Sequence, residues 1–146
     1  MSHQQVQVQE EIAADAINVW QLIRNFDDIS AWATGNIVDI QGSGVGMVRH
    51  IEFNSDKVVE RCEAHDDAQM SFQYRLLESP WPMSDYLATV KIISAAPNKT
   101  LIDWSCRYQA VPEQIEAAQK LIESTYRYGF IAKLRKTAEK TYSNTP

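Results

Sequence analysis

The chain has 146 residues, of which 45% are hydrophobic and 23% charged, and its formal net charge is −5. This length predicts a single domain over residues 1–146, because two domains of half the size would each bury too small a core. The negative charge argues against nucleic-acid binding, which needs a basic face to neutralise phosphates, and it also disfavours anionic membrane surfaces.

Cellular context and cofactor use are predicted mainly from motifs that are missing. The polar, acidic start of the sequence resembles no signal peptide, and no apolar run is long enough to span a bilayer. Cys62 and Cys106 match no zinc-binding spacing, and the segment 65–67 (His-Asp-Asp) falls where a turn is expected. We therefore expect a cytoplasmic protein with reduced thiols, no cofactor, no metal and no stable membrane insertion.

The first third of the chain predicts one strand, two short helices and a return to strand. Residues 5–9 alternate polar and apolar side chains, as a half-buried strand does. Apolar residues then recur at helical spacing between Val19 and Phe26, and a second short helical segment holds Ile29 and Trp32. Trp32 is expected to wedge this segment onto the sheet. A strand at 37–40 follows and runs into a glycine-rich turn.

The remainder predicts antiparallel strands and one long helix. Pro112 begins a helical pattern that continues to about Thr141, with acidic residues near its start and basic residues towards its end. The fold class is therefore α+β, with a curved antiparallel sheet of six to seven strands around a long C-terminal helix and an internal cavity between them. Turn-forming residues separate the strand-like segments, which cover residues 47–53, 57–63, 70–77, 86–93 and 100–108.

An ordered set of residues and short motifs supports a family resemblance. The set comprises Val19-Trp20, Trp32, Gly46-Met47-Val48-Arg49, Val59-Glu60-Arg61, Asp85-Tyr86, Ala88-Thr89-Val90, Asp103-Trp104 and Lys133-Leu134. With the element order, it resembles the helix-grip superfamily, which includes the birch pollen allergen, START lipid-transfer domains and plant abscisic-acid receptors. More narrowly, the chain resembles the bacterial polyketide cyclase/dehydrase and lipid-transport family over about residues 6–141.

The resemblance implies a ligand cavity lined by the concave face of the sheet and by the long helix. Both faces of the strand 86–93 carry apolar residues, so alternation does not assign its inward face. The resemblance implies that Tyr86 and Ala88 point into this cavity. The abscisic-acid receptors have a proline-containing gate after the third strand. Residues 54–57 (Asn-Ser-Asp-Lys) lack that gate, so hormone-receptor behaviour is not expected here.

Arg49 and Glu60 are the charged candidates for the cavity. A hairpin that pairs Phe53 with Val58 places Arg49, Ile51 and Phe53 on the face that carries Glu60. Arg49 and Glu60 then become diagonal neighbours on adjacent strands. The pair is expected either to contact a ligand or to form an internal salt bridge that satisfies two buried charges.

Aromatic and apolar residues supply the rest of the predicted binding site. Tyrosine and tryptophan join an apolar body to one polar tip, which suits a cavity that orients a mostly apolar ligand. The alternative for each residue is an ordinary filled core. Trp81 is also a candidate cap for the cavity mouth. The remaining candidates are Phe72, Tyr74, Trp81, Tyr86, Ala88, Trp104, Ile122, Tyr126 and Phe130.

These patterns predict a protein that binds or carries a small hydrophobic molecule, such as a lipid, an isoprenoid or an aromatic polyketide-like compound, without catalytic residues. One alternative is a polyketide cyclase or dehydratase in which Arg49, Glu60, Tyr74 or Tyr86 moves protons or stabilises an enolate. No inward histidine or nucleophile motif supports that alternative. A second alternative is an accessory protein that uses its surface near Trp81 to bind a protein partner, whose nature the sequence leaves unknown.

Overall fold

The computed structural model describes residues 3–142, which form one seven-stranded antiparallel sheet and a long C-terminal helix. The strand order is β1-β7-β6-β5-β4-β3-β2. The predicted α+β architecture is confirmed. In chain order the strands and the first helix are β1 (Gln4–Ile12), α1 (Ala16–Ile23), β2 (Asn36–Gln41), β3 (Val48–Phe53), β4 (Asp56–Asp66), β5 (Ser71–Glu78), β6 (Ser84–Ala96) and β7 (Lys99–Gln109).

The C-terminal helix consists of three helical segments after a single 3₁₀ turn at Pro112–Gln114. These segments are α2 (Ile115–Ser124), a π-helical segment (Thr125–Ile131) and α3 (Ala132–Thr141). The buried face steps by four residues from Ala118 to Ile122 and Tyr126, and then by five residues to Ile131. The wider π turn accounts for this longer step, because its hydrogen bonds join residues five apart. No helix within residues 3–142 is both long and apolar enough to cross a bilayer.

Alternation along the strands places the core on one face of the sheet. Val8 of β1 lies opposite Trp104 of β7, and both side chains are fully buried. Directly paired residues share a face, so β1 and β7 contribute to the same side of the sheet. In β6 the residues with inward side chains are Tyr86, Ala88, Val90 and Ile92, all of them buried.

The β3–β4 hairpin corrects the predicted register. Phe53 pairs with Asp56 rather than with Val58, so Arg49 lies directly opposite Glu60 and is not its diagonal neighbour. The turn contains only two residues, and Asn54 adopts a left-handed backbone conformation with a φ of 56°. Asparagine tolerates that conformation better than most residues, which permits the tighter turn. A register change of two residues leaves every side chain on its predicted face.

The segment between α1 and β2 forms one helical turn, in agreement with the predicted second short helical segment. The backbone N–H groups of Trp32 and Ala33 donate to the carbonyl oxygen of Ile29 at 3.1 and 2.8 Å. This turn carries the buried Trp32 side chain to the inner face of the sheet, where its ring lies 5.0 Å from that of Trp104. The loop and the C-terminal helix therefore cover the same side of the sheet.

Candidate functional site

A cavity of about 450 Å³ lies between the inner face of the sheet, the segment 29–35 and the C-terminal helix. Strands β3, β4, β5 and β6 form one wall, and α2 with the π-helical segment forms the facing wall. Several residues predicted from the sequence lie together in this lining. They are Ile51, Phe53, Glu60, Tyr74, Trp81, Tyr86, Ile122, Tyr126 and Phe130.

Four predicted residues, Arg49, Phe72, Ala88 and Trp104, lie behind the cavity wall. Trp104 is fully buried, and its indole N–H donates to the Tyr74 hydroxyl at 3.2 Å. The ring of Phe72 lies 6.1 Å from that of Tyr74, between the cavity and α1. These side chains fix the positions of the rings that line the cavity, and the structure gives them no direct place in its lining.

The segment after α1 contributes to the cavity lining, which was not predicted from the sequence. Ile29, Trp32, Ala33, Thr34 and Gly35 all line the cavity. Trp32 was predicted only to wedge this segment onto the sheet, whereas its ring also forms part of the cavity wall. A loop has no periodic pattern from which the direction of its side chains can be predicted. The tryptophan in this segment was the only sign that it packs against the sheet. Further lining residues outside the predicted set include Val58, Leu76, Met83, Leu121, Thr125 and Tyr128.

Trp81 and Met83 lie in the loop between β5 and β6. Both side chains are half-buried and line the cavity, and neither belongs to the exposed large apolar residues of the described chain. The loop therefore turns these two side chains towards the cavity. The role of Trp81 as a cap of the cavity mouth stays a prediction.

The Arg49–Glu60 pair joins the cavity wall to the layer behind it. Arg49 is 1% exposed, and its Nε and Nη2 atoms lie 2.8 and 2.7 Å from Oε1 of Glu60. Its Nη1 atom donates to the carbonyl oxygen of Phe26 at 3.0 Å, and its guanidinium lies 3.8 Å from the centre of the Phe26 ring. Nε and Nη1 thus donate hydrogen bonds, whereas the buried Nη2 contacts Glu60 in the ion pair without making a hydrogen bond. Only Glu60 of the pair lines the cavity.

Three tyrosine hydroxyls lie close together at the wall. Tyr86 of β6 and Tyr126 of the π-helical segment hydrogen-bond to each other through their hydroxyl groups. Burial raises the pKa of Tyr86 and of Tyr126 well above the ordinary value, and burial likewise raises the pKa of Tyr74. All three hydroxyls therefore remain protonated near neutral pH and are able to donate and accept hydrogen bonds.

The acid–base chemistry available at the wall is narrow. Among the described residues that line the cavity, none is lysine, arginine or histidine, and Glu60 is the one carboxylic acid. Burial raises the pKa of the nearby Cys106 thiol to about 11, which keeps it protonated and unreactive. Within residues 3–142 no group of three or more His, Cys, Asp and Glu residues is arranged to hold a metal ion.

A long helix over an antiparallel sheet, with an aromatic cavity between them, defines the helix-grip fold. The family described as polyketide cyclase/dehydrase and lipid transport matches residues 3–139, and the chain belongs to this family. The resemblance inferred from the sequence is thereby confirmed. No curated protein matches the sequence significantly.

Solved structures share the fold over nearly the whole chain. An uncharacterised protein from Bacillus thuringiensis has a TM-score of 0.81 and 26% identity, over 91% of this chain and 97% of that one. The protein XoxI from Bacillus cereus has a TM-score of 0.75 and 25% identity, over 99% and 97% of the two chains. Norcoclaurine synthase from Thalictrum flavum, in complex with dopamine and hydroxybenzaldehyde, has a TM-score of 0.72 and 18% identity, over 95% and 86%. At that identity the last likeness shows the fold alone.

Proposed function

We propose that this protein binds a small, mostly apolar molecule in the cavity beneath its C-terminal helix and acts as a binding or carrier protein. The cavity itself carries the proposal. Its volume of about 450 Å³ falls within the range of roughly 300–1,000 Å³ that is usual for small-molecule sites. Membership of a family described partly by lipid transport supports the same function.

The composition of the wall supports an apolar ligand held by a few polar contacts. Ile51, Leu76 and Ile122 provide apolar surface, whose burial contributes about 25 cal/mol per Å² before the costs of association. Glu60 and the hydroxyls of Tyr86 and Tyr126 are the polar groups that would set orientation. Norcoclaurine synthase holds dopamine and hydroxybenzaldehyde, so small aromatic molecules are compatible with this fold.

The first experiment identifies what the protein carries. The protein is purified gently and extracted with organic solvent, and the extract is analysed by mass spectrometry. We expect a stoichiometric apolar compound from the wild type and little from a Gly129→Leu variant. Gly129 lines the cavity, and a Cβ atom there meets only Thr125 Cγ2, at 4.0 Å, so a larger side chain can be added at the cavity wall to reduce the space for a ligand.

Ala117→Leu is the matched control. Ala117 is exposed on α2 outside the cavity lining, so the same type of side chain is added to the same helix without filling the cavity. An empty wild-type extract, together with no thermal stabilisation by apolar aromatic probes or lipids, would contradict the proposal. In that case a protein partner becomes the next hypothesis to test.

An enzyme of the cyclase or dehydratase type is the second candidate, because one carboxylate and three protonated tyrosine hydroxyls adjoin the same apolar cavity. Glu60 would accept a proton from the substrate, and a tyrosine hydroxyl would stabilise the resulting oxyanion. The two functions differ in a direct assay. An enzyme converts the extracted compound and loses turnover in Glu60→Gln while binding persists, whereas a carrier returns the compound unchanged.

A further inference from the structure

We infer that the cavity selects uncharged aromatic molecules that carry a hydroxyl group, and that Oε2 of Glu60 accepts the hydrogen bond from that hydroxyl. This inference rests on the proposed function and specifies its ligand class. Four features of the site support it: the volume, the rings of the wall, the free oxygen of Glu60 and the distribution of charge.

The volume limits the size of the ligand. A cavity of about 450 Å³ lies in the lower half of the range of roughly 300–1,000 Å³ that is usual for small-molecule sites. Molecules of two or three fused rings belong to this size class.

The rings of the wall favour a flat ligand. Trp32, Tyr126 and Phe130 line the cavity, and neighbouring rings hold them in place. Trp32 meets Phe130 edge-on at 4.9 Å between ring centres, and Trp104 lies 5.1 Å from Phe130 and 5.8 Å from Tyr126. Rings fixed in this way offer flat faces and edges to an aromatic ligand, which gains from stacked and edge-to-face contacts.

The carboxylate of Glu60 has one oxygen left for a ligand. Both close contacts from Arg49, at 2.8 and 2.7 Å, go to Oε1. No hydrogen bond from residues 3–142 reaches Oε2, although Glu60 lines the cavity and its side chain retains 11% exposure. Oε2 is therefore an accessible charged acceptor that no described group occupies, and a ligand hydroxyl placed against it would make a charge-assisted hydrogen bond.

The balance of charge excludes ionised ligands. Arg49 and Glu60 together are neutral, and Arg49 lies behind the wall, where Nε and Nη2 contact Glu60 and Nη1 donates to the Phe26 carbonyl oxygen. A ligand carboxylate would bring a second negative charge next to Glu60, where the described lining offers no cation. A ligand ammonium would leave one positive charge uncompensated in an apolar site. Unpaired buried charge is strongly unfavourable in both cases.

The test compares four probes that share one ring system: naphthalene, 2-naphthol, 2-naphthoate and 2-naphthylmethylammonium. Binding to the wild-type protein is measured at pH 7 by isothermal titration calorimetry, so the comparison needs no variant. Because hydrogen bonds to charged groups are among the stronger ones, we expect 2-naphthol to bind at least about tenfold more tightly than naphthalene. Both ionised probes should bind more weakly than naphthalene.

Two variants assign the effect to Glu60. Glu60→Gln alone leaves Arg49 buried without its counterion and risks misfolding, so Arg49→Met/Glu60→Gln is made beside it. In whichever variant retains the wild-type circular dichroism spectrum, the advantage of 2-naphthol should fall to about threefold or less, as expected when a charged acceptor is replaced by a neutral one. Gly129→Leu is the control, since filling the cavity should weaken naphthalene and 2-naphthol alike.

The outcomes separate this inference from the proposed function. Equal affinity for naphthalene and 2-naphthol, or tightest binding of either ionised probe, would overturn the inference and leave small-molecule binding intact. A preference for 2-naphthol that survives in a folded Glu60 variant would overturn the role of Oε2. If no probe binds the wild type, the inference fails; the proposed function fails with it only when the wild-type extract is also empty and lipids give no thermal stabilisation.

Discussion

Single residues at the cavity show how the protein accommodates charge in an apolar setting. Arg49 is stabilised by the Glu60 carboxylate, the Phe26 carbonyl and the face of the Phe26 ring. Removing one member of a buried ion pair typically costs about 3–5 kcal/mol, because the other charge loses its partner. We therefore expect Arg49→Met to lower the free energy of unfolding by about that amount, as measured by urea denaturation.

The double variant tests whether the two charges are coupled. Arg49→Met/Glu60→Gln removes both charges, so its loss of stability should be smaller than the sum of the losses in the two single variants. Losses that simply add would show that Arg49 and Glu60 stabilise the fold independently. This result would contradict the claim that Arg49 and Glu60 are each other's main stabilising partner.

Asp67 gives the protein a predictable response to acid. It accepts hydrogen bonds from Trp20 Nε1 at 2.9 Å and from Arg24 Nε and Nη2 at 2.9 and 3.0 Å. The hydrogen bonds from Arg24, followed by that from Trp20, lower the pKa of Asp67 to about 2. The folded-state pKa of Asp67 lies below its ordinary value of 3.8, so the ionised carboxylate stabilises the folded state. This stabilisation is fully present above pH 3.8 and is lost as the pH falls to about 2.

We therefore expect Asp67→Asn to have a lower Tm than the wild type at pH 7. The difference should shrink as the pH is lowered through the range in which Asp67 becomes protonated. Thermal melts followed by circular dichroism at several pH values measure this difference. Asp27→Asn is the control, since Asp27 is exposed and makes no ion pair within the described residues. A difference in Tm that stays constant down to low pH would contradict the assignment.

Among the elements, the C-terminal helix shapes the cavity through its π-helical segment. This segment contributes Thr125, Tyr126, Tyr128, Gly129 and Phe130 to the lining. A regular α-helix would place a buried residue four positions after Tyr126, whereas the buried residue here is Ile131. The added residue in this turn aligns the buried faces of α2 and α3 while the segment between them borders the cavity.

Two glycines that line the cavity should respond oppositely to alanine. Gly129→Ala should raise stability by up to about 1 kcal/mol, because alanine favours helix and its Cβ meets only Thr125 Cγ2, at 4.0 Å. Gly35→Ala should lower stability by about 1–3 kcal/mol through overpacking, because its Cβ would lie 2.8 Å from Ile51 Cγ2 and 3.1 Å from the Glu52 carbonyl oxygen. Urea denaturation measures both changes. Effects of the same sign would contradict the claim that Gly129 borders free space and Gly35 is tightly packed.

An ion pair joins the π-helical segment to β1. Arg127 Nη1 lies 2.6 Å from Glu10 Oε1, and both side chains are partly buried. Glu10→Gln should accelerate amide hydrogen exchange in residues 125–131 while lowering the overall stability by no more than about 1 kcal/mol. Glu116→Gln removes an exposed ion pair to Lys120 on α2 and is the matched control. Equal exchange rates in the two variants would show that the Glu10 contact does not stabilise this segment.

At the scale of the whole molecule, occupancy of the cavity and stability are linked. A ligand that binds only the folded state at a free concentration of 100 times its Kd stabilises it by about 2.7 kcal/mol. We expect 2-naphthol to raise the Tm of the wild type in a concentration-dependent way and to have little effect on Gly129→Leu. Equal shifts in the two proteins would place the bound molecule outside the cavity.

The overall fold follows from the sequence to a greater extent than the cavity does. Alternation along the strands and the helical pattern after Pro112 predicted the layers, whereas the inward face of the strand that carries Tyr86 and Ala88 was taken from the family resemblance. The β3–β4 register was wrong by two residues because both registers leave Arg49 and Glu60 on one face, and the two-residue turn at Asn54 decided between them. A periodic pattern cannot reveal such a shift.

Some residues predicted to line the cavity lie on the correct face of the sheet but at a position that the cavity does not reach. Phe72, Ala88 and Trp104 point inward as predicted, yet other side chains separate them from the cavity. Alternation with a period of two residues identifies which side chains of a strand point inward. It does not show which of these inward side chains reach the cavity and which are covered by other side chains. The direction of Arg49 likewise depends on Phe26, which follows α1 and is distant in sequence. Contacts of this kind appear only in three dimensions.

The position of β1 at the end of the sheet has a consequence for how the chain reaches its native state. Gln4 pairs with Tyr108 and Ile12 with Thr100, so the first strand finds its neighbour only after the last strand has been made. Contacts this distant in sequence slow folding, typically to about milliseconds to seconds. On the ribosome, the part of the inner face that the C-terminal helix covers remains exposed until that helix emerges, and during that interval the nascent chain is most prone to aggregate.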